Sequence, residues 1–191
     1  SKLVPILDLL AEKFPRLKRV GIYTDARGVL MKSHNELIEL RKRKLGIVYL
    51  GLESGSEEIL RQIKKGSTAA EMTEAMKRAQ AAGIQTSVIA LLGIGGRRLS
   101  GEHALDTARV VSEMSPDYFA ALTLTLVPGT ELARQFDQGE FEPLEPEESL
   151  DELRRMMESL RPDRRMVFRT NHASNYLPLK GILPEDRPKL L

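Results

Sequence analysis

The chain has 191 residues, 41% apolar and 29% charged, and its 29 basic and 27 acidic side chains leave a net charge of +2. This composition is that of a globular protein with one sizeable core, and an aromatic content of only 5% gives nucleic-acid binding no support. Because the sequence contains no cysteine, it excludes disulfides, thiolate zinc sites, cysteine nucleophiles and cysteine-ligated iron–sulfur clusters within this chain.

The first residues, SKLVPILDLLAEKF, carry a charge within their apolar stretch and predict an amphipathic helix rather than a signal peptide. No run of about 18 apolar residues predicts a membrane span, so we expect a cytoplasmic protein. The three histidines (His34, His103 and His172) show no metal-binding spacing, and no metal site is predicted from them.

After this helix, a short apolar run, a turn and a helical stretch recur along the chain, which is typical of parallel βα units. Strands are predicted at 19–26, 46–53, 85–93 and 117–127, with a fifth at 166–173. The proline-rich segment that follows is predicted to have little regular structure. We therefore divide the chain into a βα part, residues 1–165, and a closing strand with an irregular tail, residues 166–191.

Capping residues predict where the intervening helices begin. Ser33 with Glu36, and Thr68 with Glu71, fit the capping box, and Ser56 precedes two glutamates that favour a helix N-terminus. Further helices are predicted from Ser100 to about Met114 and from Pro146 to about Leu160, the latter with Leu150, Leu153, Met157 and Leu160 facing inward.

These α/β elements fit either an open doubly wound sheet or part of a (βα) barrel, and in both folds functional groups gather at the C-terminal ends of the strands. Glu53 ends the second predicted strand, where a buried carboxylate needs a partner; a ligand and Arg27 are both candidates. Gly93, Gly95 and Gly96 end the third, without the last glycine of a dinucleotide fingerprint. They leave bare backbone that a flat ring can approach.

Several motifs in order resemble the radical S-adenosylmethionine (SAM) superfamily, and within it the iron–sulfur oxidoreductases related to oxygen-independent coproporphyrinogen oxidases. After Arg27, the motifs are GLESGSEEILRQIKKG (51–66), GIQTSVIALLGIGG (83–96), LTLTLVPGTEL (122–132) and FRTNHASNYLPLKGILP (168–184). The resemblance covers roughly residues 1–184 and depends on the ordered set rather than on any single motif.

The resemblance implies a six-stranded, TIM-like partial (βα) barrel in which a CxxxCxxC loop holds a [4Fe-4S] cluster. In that family, reduction of the cluster by a donor such as flavodoxin or ferredoxin cleaves SAM to a 5′-deoxyadenosyl radical, which abstracts hydrogen from substrate. Since this chain has no cysteine, it resembles a C-terminal fragment that supplies barrel strands three to six and no cluster ligands. Such a fragment is expected to be inactive alone and to self-associate through two open sheet edges.

The resemblance also implies roles for individual residues, although it identifies neither a catalytic residue nor the substrate. The positions implied to contact the cofactor are Glu53, Ser54, Lys65, Gly93, Gly95, Gly96, Val127 and Pro128. Our candidates for substrate contacts are Arg27, Asn171, His172, Ser174 and Asn175. The alternative hypothesis is a cluster-free α/β module that binds a nucleotide or a partner protein and uses Glu53 and the glycines only for folding.

Overall fold

Residues 2–191, which the computed structural model describes, form a six-stranded sheet whose strands lie side by side in chain order. The strands are β1 (Val20–Thr24), β2 (Leu45–Glu53), β3 (Gln85–Leu92), β4 (Tyr118–Thr123), β5 (Met166–Arg169) and β6 (Lys180–Leu183). The helices are α1 (Leu3–Lys13), α2 (Ala26–Leu30), α3 (His34–Lys42), α4 (Glu57–Gln62), α5 (Ala69–Ala81), α6 (Gly96–Met114), α7 (Glu131–Asp137), α8 (Pro146–Ser159) and α9 (Arg187–Leu190).

Strands β1 to β5 are parallel, and β6 runs antiparallel to β5. Because each new strand is added beside the previous one, the order never reverses as it does in a doubly wound sheet. Of the two predicted architectures, the structure therefore has the one expected for part of a (βα) barrel.

The two faces of the sheet differ in burial. Side chains such as Val48, Leu50, Val88 and Phe119 lie on one face and are buried with the helices in the main core. The alternate positions form what we call the open face, where Tyr49, Ile89 and Tyr118 are only partly buried and Tyr23 is 79% exposed. Within residues 2–191, the helical layer that covers the other side does not extend over the open face.

Most helix starts were predicted correctly. Ser33 and Thr68 form complete capping boxes, Ser56 accepts the Ile59 amide, and Pro146 is the first residue of α8. The prediction for Ser100 was wrong, because α6 begins four residues earlier, at Gly96. There the chain turns from β3 directly into the helix, and Gly96 takes the positive φ (58°) that this turn requires.

The predicted boundaries were wrong near the C-terminus. Strand β4 ends at Thr123 instead of Val127, and the predicted irregular tail contains β6 and α9. Next to β6, the Ile182 amide donates to the Asp186 carboxylate at 2.9 Å, and the Asp186 amide donates to the Ile182 carbonyl at 2.7 Å. The turn after β6 thus satisfies backbone groups that strand pairing with β5 leaves unused.

The sheet has two ends, and they are not equivalent. In the described part of the chain, no strand pairs with the outer side of β1, whereas Asp186 occupies the outer backbone of β6 at Ile182. Both β1 and β6 are therefore end strands, as predicted, and association through these two edges stays a prediction. No helix between residues 2 and 191 has the length and apolar character needed to cross a bilayer.

Candidate functional site

Glu53 and Lys65 form an ion pair at the C-terminal end of β2. The Lys65 Nζ lies 2.9 Å from Glu53 Oε1, and the two side chains are 23% and 28% exposed. Helix α4 turns the chain back so that the Lys65 amide donates to the Leu60 carbonyl. The structure thus brings together two residues predicted to contact the cofactor, and the ion-pair partner of Glu53 is Lys65 rather than Arg27.

The backbone beneath this pair is shaped to accommodate it. Glu53 has a φ of 61°, a left-handed conformation that costs about 1–2 kcal/mol for a residue other than glycine, and the pairing register with β3 shifts between Gly51 and Glu53. A Cβ atom added at Gly51 would lie 2.2 Å from Glu53 Oε1 and 3.2 Å from Lys65 Nζ. Only glycine at position 51 therefore leaves room for the carboxylate to fold back over the strand.

A partly exposed pair of opposite charges has a definite binding chemistry. The Lys65 ammonium can donate to a carboxylate, and the Glu53 carboxylate can accept from an ammonium. An α-amino acid carries both groups on neighbouring carbon atoms. The Glu53–Lys65 pair is thus complementary to the zwitterionic end of an amino acid.

Ser54 does not contribute to this ligand-facing surface. Its side chain is fully buried; its Oγ accepts the Ser56 amide at 3.0 Å and is hydrogen-bonded to His103 Nδ1 at 2.9 Å. Thr107 completes the arrangement, since its hydroxyl accepts the Gly55 amide and lies 3.3 Å from the same imidazole nitrogen. The predicted cofactor contact of Ser54 is therefore replaced by a structural role.

The buried His103 and Glu152 are functional candidates that the sequence analysis missed. His103 Nε2 lies 3.7 Å from Glu152 Oε1, which also accepts the Gly93 amide at 2.7 Å. Burial lowers the pKa of His103 to about 4, and burial raises the pKa of Glu152 to about 7 against the opposing effect of its hydrogen bonds. His103 Nε2 and Glu152 Oε2 are buried without a hydrogen-bond partner.

The glycines at the end of β3 are covered by the protein itself. A Cβ at Gly95 would lie 2.8 Å from Ile59 Cδ1, and one at Gly96 would lie 2.8 Å from the Glu142 carbonyl oxygen. Gly93, which has a φ of 81°, is buried as well. The bare backbone therefore allows close packing within the chain. Gly95 and Gly96 also line a cavity, and the approach of a flat ring to them stays a prediction.

A cavity of about 740 Å³ lies beside these glycines, between the end of α4 and helix α7. Its wall is mixed, with apolar Ile94 and Leu132 and charged Lys64 and Glu131. Neither Glu53 nor Lys65 lines it. The cavity is separate from the ion pair.

The predicted cofactor contacts Val127 and Pro128 lie beyond the end of β4, in the exposed turn that leads into α7. Val127 is 56% exposed, and its carbonyl accepts the hydroxyl of Thr130, the residue that caps α7. The structure does not test their contact with a cofactor, which stays a prediction.

The predicted substrate residues separate into different environments. Arg27 lies on α2, in the helical layer, where its charge makes a minor contribution to a low pKa of Glu71 that comes mainly from hydrogen bonds with Thr68. Asn175 fastens its loop to the sheet, because its amide donates to the Ala121 and Thr170 carbonyls and accepts the Thr123 hydroxyl. Asn175 therefore has a structural role, and its contact with substrate stays a prediction.

The other predicted substrate residues at 171–174 differ in exposure and in their hydrogen bonds. Ser174 accepts the Thr123 amide and is hydrogen-bonded to His172 Nδ1 at 2.9 Å. Asn171 and His172 are exposed. These two remain available to a ligand.

The iron–sulfur cluster that the resemblance implies does not fit this chain. The sequence has no cysteine, and in residues 2–191 no group of three or more histidine, aspartate or glutamate side chains is placed to hold a metal ion. The residues that do fit a part of SAM are Glu53 and Lys65.

Comparison with known proteins agrees with this architecture. No curated protein matches the chain. Among solved structures, it is similar to the archaeal Methanocaldococcus infernus Elp3 with an N-terminal deletion, with 22% identity and a TM-score of 0.66 over 81% of this chain and 36% of that one. It is also similar to coproporphyrinogen III oxidase (HemN) from Escherichia coli, described as a radical SAM enzyme, with 18% identity, a TM-score of 0.64, and 82% and 36% coverage.

A third structure, methylornithine synthase (PylB), matches with 18% identity and a TM-score of 0.58 over 83% of this chain and 43% of that one. At these identities the three matches show a shared fold, and the chain spans well under half the length of each. A sequence model of the Radical SAM superfamily matches residues 2–111, which is more than half of the chain. The chain therefore belongs to the radical SAM superfamily.

Proposed function

We propose that this chain is part of a radical SAM oxidoreductase and that Glu53 and Lys65 hold the amino-acid end of SAM. The observation that carries the proposal is the ion pair at the end of β2, where a left-handed glutamate folds over Gly51 to meet a lysine. In this arrangement Lys65 binds the methionyl carboxylate and Glu53 binds the methionyl ammonium. Binding would open the pair and replace one salt bridge by two.

The proposal assigns the remaining parts of the reaction to residues outside this chain. When bound to a reduced [4Fe-4S] cluster, SAM supplies a 5′-deoxyadenosyl radical for hydrogen abstraction. The chain has no ligands for that cluster. It therefore contributes cofactor and substrate contacts, and alone it should be inactive. The electron donor, of the flavodoxin or ferredoxin type, and the cytoplasmic location remain predictions of the resemblance and of the composition.

The coproporphyrinogen oxidase-like branch is the part of the superfamily that we favour. The sequence motifs support it, and the structural similarity to HemN is compatible with it. A pyrrole substrate does not follow from that similarity, because the match covers only 36% of HemN.

Amide shifts in ¹⁵N NMR spectra during titration with millimolar SAM would test the proposed contact. We expect shift changes in residues 51–54 and 63–66, and we expect them to be lost in Lys65→Met. Lys77→Met is the matched control, since it breaks an exposed pair with Glu113 of similar length, 3.0 Å, on the outer helices. Changes that persist in Lys65→Met, or no changes in the wild type, would contradict the assignment.

A second test concerns the intact enzyme. Gene sequence upstream of this chain should encode a CxxxCxxC motif, and the longer protein, with its cluster reconstituted and reduced, should release 5′-deoxyadenosine. A stop codon upstream without any cysteine codons would exclude a cluster from the same polypeptide.

A further inference from the structure

Two positively charged side chains face each other on β5 and β6 without an acidic partner. Arg169 and Lys180 are directly opposite in the antiparallel register. Both are exposed, and within residues 2–191 neither side chain takes part in a hydrogen bond or ion pair. Like charges directly opposite on neighbouring strands are destabilising. The folded chain therefore tolerates a repulsion that an anion between the two side chains would remove.

Both side chains lie on the open face of the sheet. Phe168, next to Arg169, and Gly181, next to Lys180, are buried, and Phe168 and Leu183 belong to the core on the helical side. Strand alternation therefore directs Arg169 and Lys180 to the opposite face. Arg169 and Lys180 thus share a face with the Glu53–Lys65 pair, whose carboxylate folds over Gly51.

The strand register places the two charged groups in one row across the sheet. The row runs through Gly51, Ile89, Ala120, Arg169 and Lys180. Since neighbouring strands are about 4.8 Å apart, the three steps from β2 to β5 separate Gly51 from Arg169 by about 14 Å. Between them the row carries only Ile89 and Ala120, which form an uncharged floor.

The charge on this face is unbalanced. Glu53 neutralises Lys65, whereas Arg169 and Lys180 have no carboxylate in this row of the sheet. Guanidinium and ammonium groups donate charge-assisted hydrogen bonds that match the oxygen atoms of a carboxylate or a phosphate. The floor between the two charged ends leaves room for an uncharged part of the same ligand.

We propose that Arg169 and Lys180 bind an oxyanion group, carboxylate or phosphate, of the substrate. The identification of the ligand as substrate rests on the proposed function, since that function places SAM at the other end of the row. Substrate contacts were predicted in the loop at 171–175. The strand residues on either side of this loop, Arg169 before it and Lys180 after it, are the ones that carry the unpaired charge.

Titrations of the 191-residue chain with inorganic phosphate and with succinate, at constant ionic strength, test the site. We expect shift changes in the NMR signals of Arg169 and Lys180, and the tighter of the two probes identifies the oxyanion. The dissociation constant should rise about 10-fold in Arg169→Gln and in Lys180→Gln, as the loss of a charge-assisted hydrogen bond predicts. Lys77→Gln makes the same change of charge on an outer helix and should leave the affinity unchanged.

Failure of the anion site can be distinguished from failure of the proposed SAM contact. The Arg169→Gln variant should keep the wild-type response to SAM, and its thermal stability should equal or exceed that of the wild type, because the repulsion is relieved. Unchanged affinity in both variants, or an equal loss in Lys77→Gln, overturns the anion site. If the SAM response fails while the anion response holds, the anion site stands and its identification with a radical SAM substrate falls.

Discussion

His103 Nε2 lies 3.7 Å from Glu152 Oε1, and both side chains are completely buried. Each also reaches the end of a strand, since His103 is hydrogen-bonded to Ser54 after β2 and Glu152 accepts the amide of Gly93 after β3. This pair of helix residues therefore fixes the relative positions of two neighbouring strand ends, one of which carries Glu53.

Removing the Glu152 charge should change how stability depends on pH. The pKa of Glu152 is raised from 4.5 to about 7, so between these values the folded chain keeps a proton that the unfolded chain has released. The free energy of unfolding therefore falls as the pH rises through this window. In Glu152→Gln this loss is absent, and the variant should gain roughly 3 kcal/mol on the wild type between pH 4.5 and 7. Urea denaturation at several pH values measures the difference; a constant difference would contradict it.

Replacing His103 should have the opposite effect on the pH dependence. Its pKa is lowered from 6.5 to about 4, so in this window the unfolded chain binds a proton that the folded chain does not. Wild-type stability thus gains from this group as the pH rises. The His103→Asn variant should lose roughly 3 kcal/mol relative to the wild type between pH 4 and 6.5. Parallel stability curves for the two proteins would show that His103 keeps its ordinary pKa.

Gly51→Ala should disrupt the Glu53–Lys65 pair while leaving the fold intact. The added methyl group meets Glu53 Oε1 at 2.2 Å, but the atoms that it meets are the ends of flexible side chains. Because a partly exposed ion pair contributes only about 0–1 kcal/mol, the melting temperature should change little. The response of residues 51–54 to SAM should be lost. A variant that keeps this response would contradict the role of Gly51 in shaping the site.

Gly55→Ala should lower the stability of the fold far more than Gly101→Ala. Its new methyl group would lie 2.3 Å from the carbonyl oxygen of Asp106 and 2.6 Å from the amide nitrogen of Thr107, both in the backbone of α6. We expect a loss of about 3 kcal/mol or more in urea denaturation. Gly101→Ala, on α6 in ordinary contact with Arg155 at 3.8 Å, is the control and should stabilise the helix by about 0.5–1 kcal/mol. Equal effects of the two substitutions would refute the packing argument.

Glu53→Gly should raise stability at the expense of binding. Glycine adopts the φ of 61° at residue 53 without the steric cost of a Cβ atom. After allowance for the lost ion pair, we expect a net gain of about 0.5 kcal/mol together with loss of the SAM response. Differential scanning calorimetry and the NMR titration measure the two quantities. A destabilised variant would mean that the ion pair outweighs the backbone strain.

Features that depend on neighbouring residues were predictable from the sequence. The capping boxes at Ser33 and Thr68 and the first-turn proline of α8 all lie where local patterns placed them. The parallel orientation of the strands followed from the alternation of strands and helices, whereas their order was implied only by the family resemblance. These features depend only on steric and hydrogen-bonding effects between residues that are close together in the sequence.

Features that depend on distant parts of the chain were not predictable. Strand β6 is only four residues long and forms because β5 is available to pair with it. The inward face of α8 was predicted correctly at Leu153, Met157 and Leu160, which are buried. It was wrong at Leu150, which is exposed, and it missed Glu152, which is buried near His103 of α6. The sequence alone predicts an exposed carboxylate at position 152, because its burial depends on the imidazole of His103 and the amide of Gly93, which are distant in the chain.

The difference between the two sheet ends limits how copies of this chain can combine. A filament grows when one end of a sheet pairs with the opposite end of the next copy, and here Asp186 competes for the outward backbone of Ile182 at the β6 end. Two β1 strands can still pair with each other across a twofold axis, which uses up both free edges. Association through β1 would therefore stop at two copies.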